Sequence, residues 1–186
     1  MFHTDTGVAM ILRKQIYSIF LFCLLSYFSN GYGQFSFVHM TDTHVNSRKS
    51  LENLKTTIDD IRSIDPQPDF IINTGDITEM GSIAEFESYF QLIDTTGFKF
   101  YHAMGNHDIR WANNGYKNFT SVLGKTYQSF DYKGFHFIIL NSGILVEQYG
   151  HFTIEQLQWL KNDLKNIGSD KPIIMAAHHP LMGDRR

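Results

Sequence analysis

The sequence predicts an α/β protein, a mixed β-sheet flanked by helices. Short stretches rich in β-formers alternate with stretches whose apolar residues recur at helical spacing. Four short polar motifs each follow directly on one of the predicted strands. The composition, 42% hydrophobic and 19% charged over 186 residues, is that of an ordinary globular domain with one core.

The elements follow in order. Phe35 to Met40 is apolar and reads as the first strand, after which Leu51, Leu54, Ile58 and Ile61 mark one face of a helix. Asp69 to Thr74 is a second, buried strand. Ser82 and Glu85 have capping-box spacing and open a helix carrying Ile83, Phe86, Phe90 and Ile93, closed by Gly97. Lys99 to Met104 is the third strand, and the polar stretch Ile109 to Lys125 reads as a loop long enough to line a pocket. Tyr127 to Asn141 reads as an antiparallel hairpin turning at Lys133-Gly134. Thr153 and Gln156 cap a helix carrying Ile154, Leu157, Leu160, Leu164 and Ile167, stopped by Gly168, and Pro172 to Ala177 is a final strand.

Residues 1–33 are set apart from this domain. Arg13 and Lys14 precede an apolar run from Ile16 to Phe28, and Gly31-Tyr32-Gly33 supplies small residues for cleavage, the three parts of a secretory signal in order. Met10 is an alternative start. The competing reading is an uncleaved anchor, but the run is shorter than the roughly 20 residues a bilayer needs. The domain then spans 34–186, exported to the periplasm or the extracellular space, with no membrane span once the signal is removed. Cys23 is the only cysteine and lies inside the run, preceded by Phe22 rather than the small residue a lipid-attachment site carries, and the domain has neither thiolate ligands nor a cysteine nucleophile. A net charge of −3 without a Lys/Arg run argues against stable nucleic-acid binding.

The four motifs are Asp42-Thr43-His44, Gly75-Asp76, Gly105-Asn106-His107-Asp108 and Ala177-His178-His179-Pro180. Singly, each has a plain explanation, as a turn former, a helix cap or a strand end blocked by proline. Carboxylate, imidazole and amide oxygen are the donors that hold divalent or trivalent transition metals, and strand-end loops are where α/β sheets gather them. Taken together and in order, the four motifs favour a metal site. His39, His102, His136 and His151 read as structural, with backbone partners for those in strands.

These motifs resemble those of the calcineurin-like metallophosphoesterases, the family that also holds purple acid phosphatases and bacterial cyclic-nucleotide phosphodiesterases. The resemblance covers Phe35 to Arg186. It implies a metallophosphoesterase-like mixed β-sheet sandwich flanked by helices, and a binuclear site that hydrolyses small phosphate esters, monoesters or diesters, with a nucleotide among the conceivable substrates. By that resemblance Asp42 and His44 hold the first metal, Asp76 bridges, and Asn106 and His178 hold the second. The metals would be Mn, Fe or Zn, divalent or trivalent. His107 would be the catalytic histidine, with a third-ligand role as its alternative, and Asp108 its orienting partner. His179 is left between a phosphate contact and a solvated bystander.

Two departures accompany the resemblance. The family's final Gly-His-x-His does not occur before Arg186, so the domain reads as partial, with an unpaired sheet edge and one histidine fewer per metal. An inactive metal- or ligand-binding fragment is therefore the alternative function. Glu79 stands where purple acid phosphatases carry a tyrosine, which removes support for a ferric phenolate centre.

Overall fold

The structure, a computed structural model, describes residues 33–47 and 49–180. The expected signal segment lies outside these residues apart from Gly33, and among the described residues no helix is long and apolar enough to cross a membrane.

Two three-stranded sheets form the frame. The first has the order β1-β2-β3, from Phe37–Met40, Phe70–Asn73 and Phe100–His102, all parallel. The second has the order β4-β5-β6, from Gln128–Tyr132, Phe135–Ile139 and Ile173–Ala176, with β4 antiparallel and β6 parallel to β5. The helices are α1 (Ser50–Arg62), α2 (Ile83–Asp94), α3 (Tyr116–Val122) and α4 (Ile154–Lys165).

Strand periodicity builds the layers. Phe70 and Ile72 point into an aromatic core shared with Tyr101, Ala103, Phe137 and Ile139, whereas Ile71 between them joins the core formed with α1, α2 and α3. A β2 buried on both faces is what a central parallel strand requires. The inter-sheet contact is aromatic: Phe70 meets Phe137 edge-on at 5.2 Å, and Phe130 stacks on Tyr101 at 3.6 Å. Helix α4 lies against the second sheet, where Ser129 and His136 both bond Asp163. The expected sandwich with flanking helices is the architecture found.

Local chemistry explains the element ends. Ser82 and Glu85 form a reciprocal capping box at the start of α2. The β4–β5 hairpin turns through Lys133 and Gly134, both at positive φ (43° and 89°), the twist a two-residue hairpin needs.

Several expectations are corrected. Part of the predicted loop 109–125 is helix α3, because Phe119 is fully buried against Phe86 at 5.6 Å and tertiary packing overrides a polar local sequence. In α2, Tyr89 rather than Phe90 faces the core, and Phe90 and Ile83 are about 40% exposed. The apolar stripe of α4 is poorly covered: Ile154 is 81% exposed and Gln156 is its buried residue, holding Asn141 through both backbone groups at 2.8 Å. The histidines expected to find backbone partners bond side chains instead. His39 meets Thr74, His102 meets Tyr89, and His136 lies between Asp131 and Asp163.

Candidate metal centre

The loops after β1, β2, β3 and β6 leave their strands at the same edge, the carboxyl end of the parallel strands, where open α/β sheets place ligands. The β1 and β2 loops are laced together by the backbone: Asp42 N–H donates to Gly75 O, His44 N–H to Asp76 O and Val45 N–H to Ile77 O, at 2.8 to 3.0 Å. Asp42, His44 and Asp76 all hold positive φ, at 55°, 42° and 49°. Left-handed backbone costs a non-glycine residue on the order of 1–2 kcal/mol, and three such residues facing one another mark a place where structure is held for chemistry.

Glycine makes this approach possible at two positions. Gly75 has φ of 110°, and a Cβ there would lie 2.5 Å from the Gly105 nitrogen. A Cβ on Gly105 would in turn lie 2.5 Å from the Asp76 nitrogen. The second and third motifs therefore touch through backbone alone.

Asp76 is the centre. Its Oδ1 accepts the His107 N–H at 2.9 Å, and its Oδ2 lies 3.3 Å from His178 Nε2 and 3.8 Å from His44 Nε2. Burial alone would raise its carboxyl, but the hydrogen bonds from His178 and from the His107 backbone outweigh it and hold Asp76 below the ordinary carboxylate value. In turn, burial would lower His178, and the Asp76 carboxylate overrides it and raises the imidazole.

Among the described residues, ligand-bearing side chains gather in two groups, Asp42–Asp76–His178 and His44–Asp76–His107, with the ligand atoms of each group within 4.8 Å of one another. Asp76 belongs to both. Asp42 and His44, which the resemblance places on one metal, lie 3.7 Å apart from Oδ1 to Nε2. Asn106 lies in the same β3 loop, beside His107, and is part-buried. Three imidazoles are pinned at Nδ1: His44 to Glu79 Oε2 at 3.1 Å, His107 to Glu79 O at 2.9 Å, and His178 to Thr74 O at 3.1 Å. A carbonyl only accepts, so His107 and His178 carry Nδ1–H, and His178 Nε2, which faces Asp76 Oδ2 at 3.3 Å, is the atom that would give up its proton to hold a metal.

Asp108, expected as the orienting partner of His107, makes its hydrogen bonds to Thr78 and Gly105. It is fully buried, and its oxygens accept from Thr78 N–H and Oγ1–H and from Gly105 N–H at 2.9 to 3.0 Å. It braces the backbone of the two loops, and Glu79 takes the place beside His107 Nδ1. His179 turns away from the centre, with Nδ1 on Ser142 and Nε2 donating to Gln148 O, and so latches the loop after β5. Sequence reading notes Glu79 only as standing in place of a tyrosine and gives it no part in the site. An acidic side chain three residues beyond the Gly-Asp pair was the available signal.

The chain is 28% identical over 153 residues to a 3′,5′-cyclic-nucleotide phosphodiesterase of Nostoc, covering 78% of this chain and 56% of that protein. It is 30% identical over 159 residues to a probable glycerophosphodiester phosphodiesterase of Arcobacter nitrofigilis, covering 77% and 56%. The chain thus spans about half the length of these curated relatives. Among solved structures, the purple acid phosphatase from yellow lupin seeds superposes with a TM-score of 0.51 at 20% identity, over 77% of this chain and 30% of that one, a likeness of fold. The sequence profile of the calcineurin-like phosphoesterases matches residues 35–185. This chain belongs to the calcineurin-like phosphoesterase family.

Proposed function

We propose that these loops form a two-metal site for hydrolysis of phosphate esters, in which Asp42, His44, Asp76, Asn106 and His178 hold two cations of Mn, Fe or Zn. The observation that carries the reading is that two groups of donor atoms share one buried carboxylate, Asp76. Mixed carboxylate and imidazole donors fit such ions, and the domain has no cysteine to supply a thiolate. When bound, the cations would supply Lewis acidity to the phosphoryl group and an acidified water.

The residues themselves prepare that chemistry. Asp76, held ionised at neutral pH, offers both oxygens. His178 can offer a cation only Nε2, because its Nδ1 is committed to the Thr74 carbonyl, and His107 Nδ1 is committed in the same way to the Glu79 carbonyl. In our reading His107 Nε2 is the atom that passes a proton to the departing oxygen, which requires the imidazolium form on entry. Trp111 packs edge-on against that ring at 5.0 Å and shields one side of it from water. The phosphodiesterase names of the relatives support a diester as the first substrate class to test, and the basic and apolar run at residues 13–28 supports an exported location.

The test is turnover of bis-p-nitrophenyl phosphate and p-nitrophenyl phosphate with Mn, Zn or Fe(II) added to metal-free protein. Metal-dependent release of nitrophenol that is lost in His107→Ala supports the reading. Metal uptake without turnover would favour a binding function instead.

A further inference from the structure

Glu79 lies three residues beyond Asp76, outside all four motifs. Its backbone is anchored: the Glu79 N–H donates to Val45 O at 3.0 Å, and Val45 and Thr78 form a parallel bridge beside it. From this fixed point it reaches two imidazoles with two different groups. Its side-chain Oε2 lies 3.1 Å from His44 Nδ1, and its carbonyl oxygen accepts from His107 Nδ1 at 2.9 Å. The two rings stand edge to face, with centroids 4.5 Å apart, and both belong to the group completed by Asp76.

A carbonyl has no proton to give, so His107 must carry its proton on Nδ1; a carboxylate imposes the same on His44. Without such partners a neutral imidazole mostly carries its proton on Nε2, which in His44 would block the atom that lies 3.8 Å from Asp76 Oδ2.

We infer that Glu79 is a positioning residue for both histidines at once, its side chain setting the Nδ1–H tautomer of His44 and its main chain that of His107; the inference rests on the metal-site reading above. The two arms are separable by mutation. Shortening the side chain releases His44 and leaves His107 held. The Glu79 side chain is 36% exposed, so removing it opens no core cavity and the fold survives.

The experiment has two readouts on the full chain. The first needs no metal: long-range proton–nitrogen correlation spectra of the metal-free protein, labelled with 15N-histidine, at a pH where the imidazoles are neutral. Wild type should show His44 and His107 as Nδ1–H tautomers. In Glu79→Ala only His44 should move toward Nε2–H, and in Glu79→Gln, whose amide oxygen still accepts, His44 should stay as in wild type. The second is titration with Mn or Zn, where Glu79→Ala should bind about 10–100-fold more weakly and Glu79→Gln should fall between. A His44 already in the Nε2–H form in wild type, a His44 unmoved in Glu79→Ala, or wild-type metal affinity in that variant each overturns the inference. If the tautomers respond as stated but wild type takes up no metal, the positioning stands and the metal-site reading falls.

Discussion

The backbone N–H of His107 donates to Oδ1 of Asp76 at 2.9 Å, so the loop after β3 is fastened to the one carboxylate shared by both groups of donor atoms. This bond forms because Gly75 and Gly105 let the two loops meet without a Cβ between them. Site geometry and loop packing are therefore one structural problem, and disturbing either should be felt in both.

Gly75→Ala tests that coupling. Its Cβ would press on the Gly105 backbone in a conformation with φ of 110°. Overpacking of this kind costs about 1–3 kcal/mol, with the left-handed backbone adding to it. Gly97→Ala is the control, since φ there is 78° but nothing lies within 4 Å. Urea denaturation should show a clearly larger loss for Gly75→Ala, with impaired metal uptake in that variant alone.

Glu85 should matter more than its place in a helix suggests. It is buried, its Oε2 accepts from the N–H groups of Met80 and Ser82 and from Ser82 Oγ, and its Oε1 accepts from Asn46. Ser82→Ala removes one cap and should cost about 1 kcal/mol. Glu85→Ala leaves several donors without a partner and should cost about 2–3 kcal/mol by the same denaturation measurement.

Much of this was legible in the sequence. The capping box, the Lys133-Gly134 hairpin and the strand-end position of each motif are local signals, and local signals survive into the fold. What was not legible depends on distant partners. Phe119 makes a helix of a polar stretch only because Phe86 waits for it, and Tyr89 displaces Phe90 because its hydroxyl finds Asn73 and His102. The tie between Glu79 and His107 involves a carbonyl, which no side-chain pattern encodes. For the same reason Asp108 reads as a partner of its neighbour His107 although it bonds Thr78 and Gly105.

The buried His102 should make stability fall with acid. Burial lowers it from an ordinary 6.5 to about 3, so between those values the unfolded chain binds a proton that the folded chain refuses. Its contribution is present above pH 6.5 and is lost as pH falls toward 3, at roughly 1.4 kcal/mol per pH unit. Asp108 runs the other way: burial raises it from 3.8 to about 6, against hydrogen bonds from Gly105 and Thr78, so the folded state gains between pH 6 and 3.8. The difference between wild type and His102→Phe isolates the first effect. Below pH 6.5 that difference should shift in favour of the variant by about 1.4 kcal/mol for each unit; parallel pH profiles would show that His102 is not held neutral.

The most direct measurement is the metal stoichiometry of wild type beside Asp76→Asn, by calorimetric titration of metal-free protein with Mn or Zn. The account predicts two bound cations in wild type and, in Asp76→Asn, loss of at least one with a large fall in affinity for the other, because a single side chain serves both groups. Two cations bound with unchanged affinity in Asp76→Asn would contradict it.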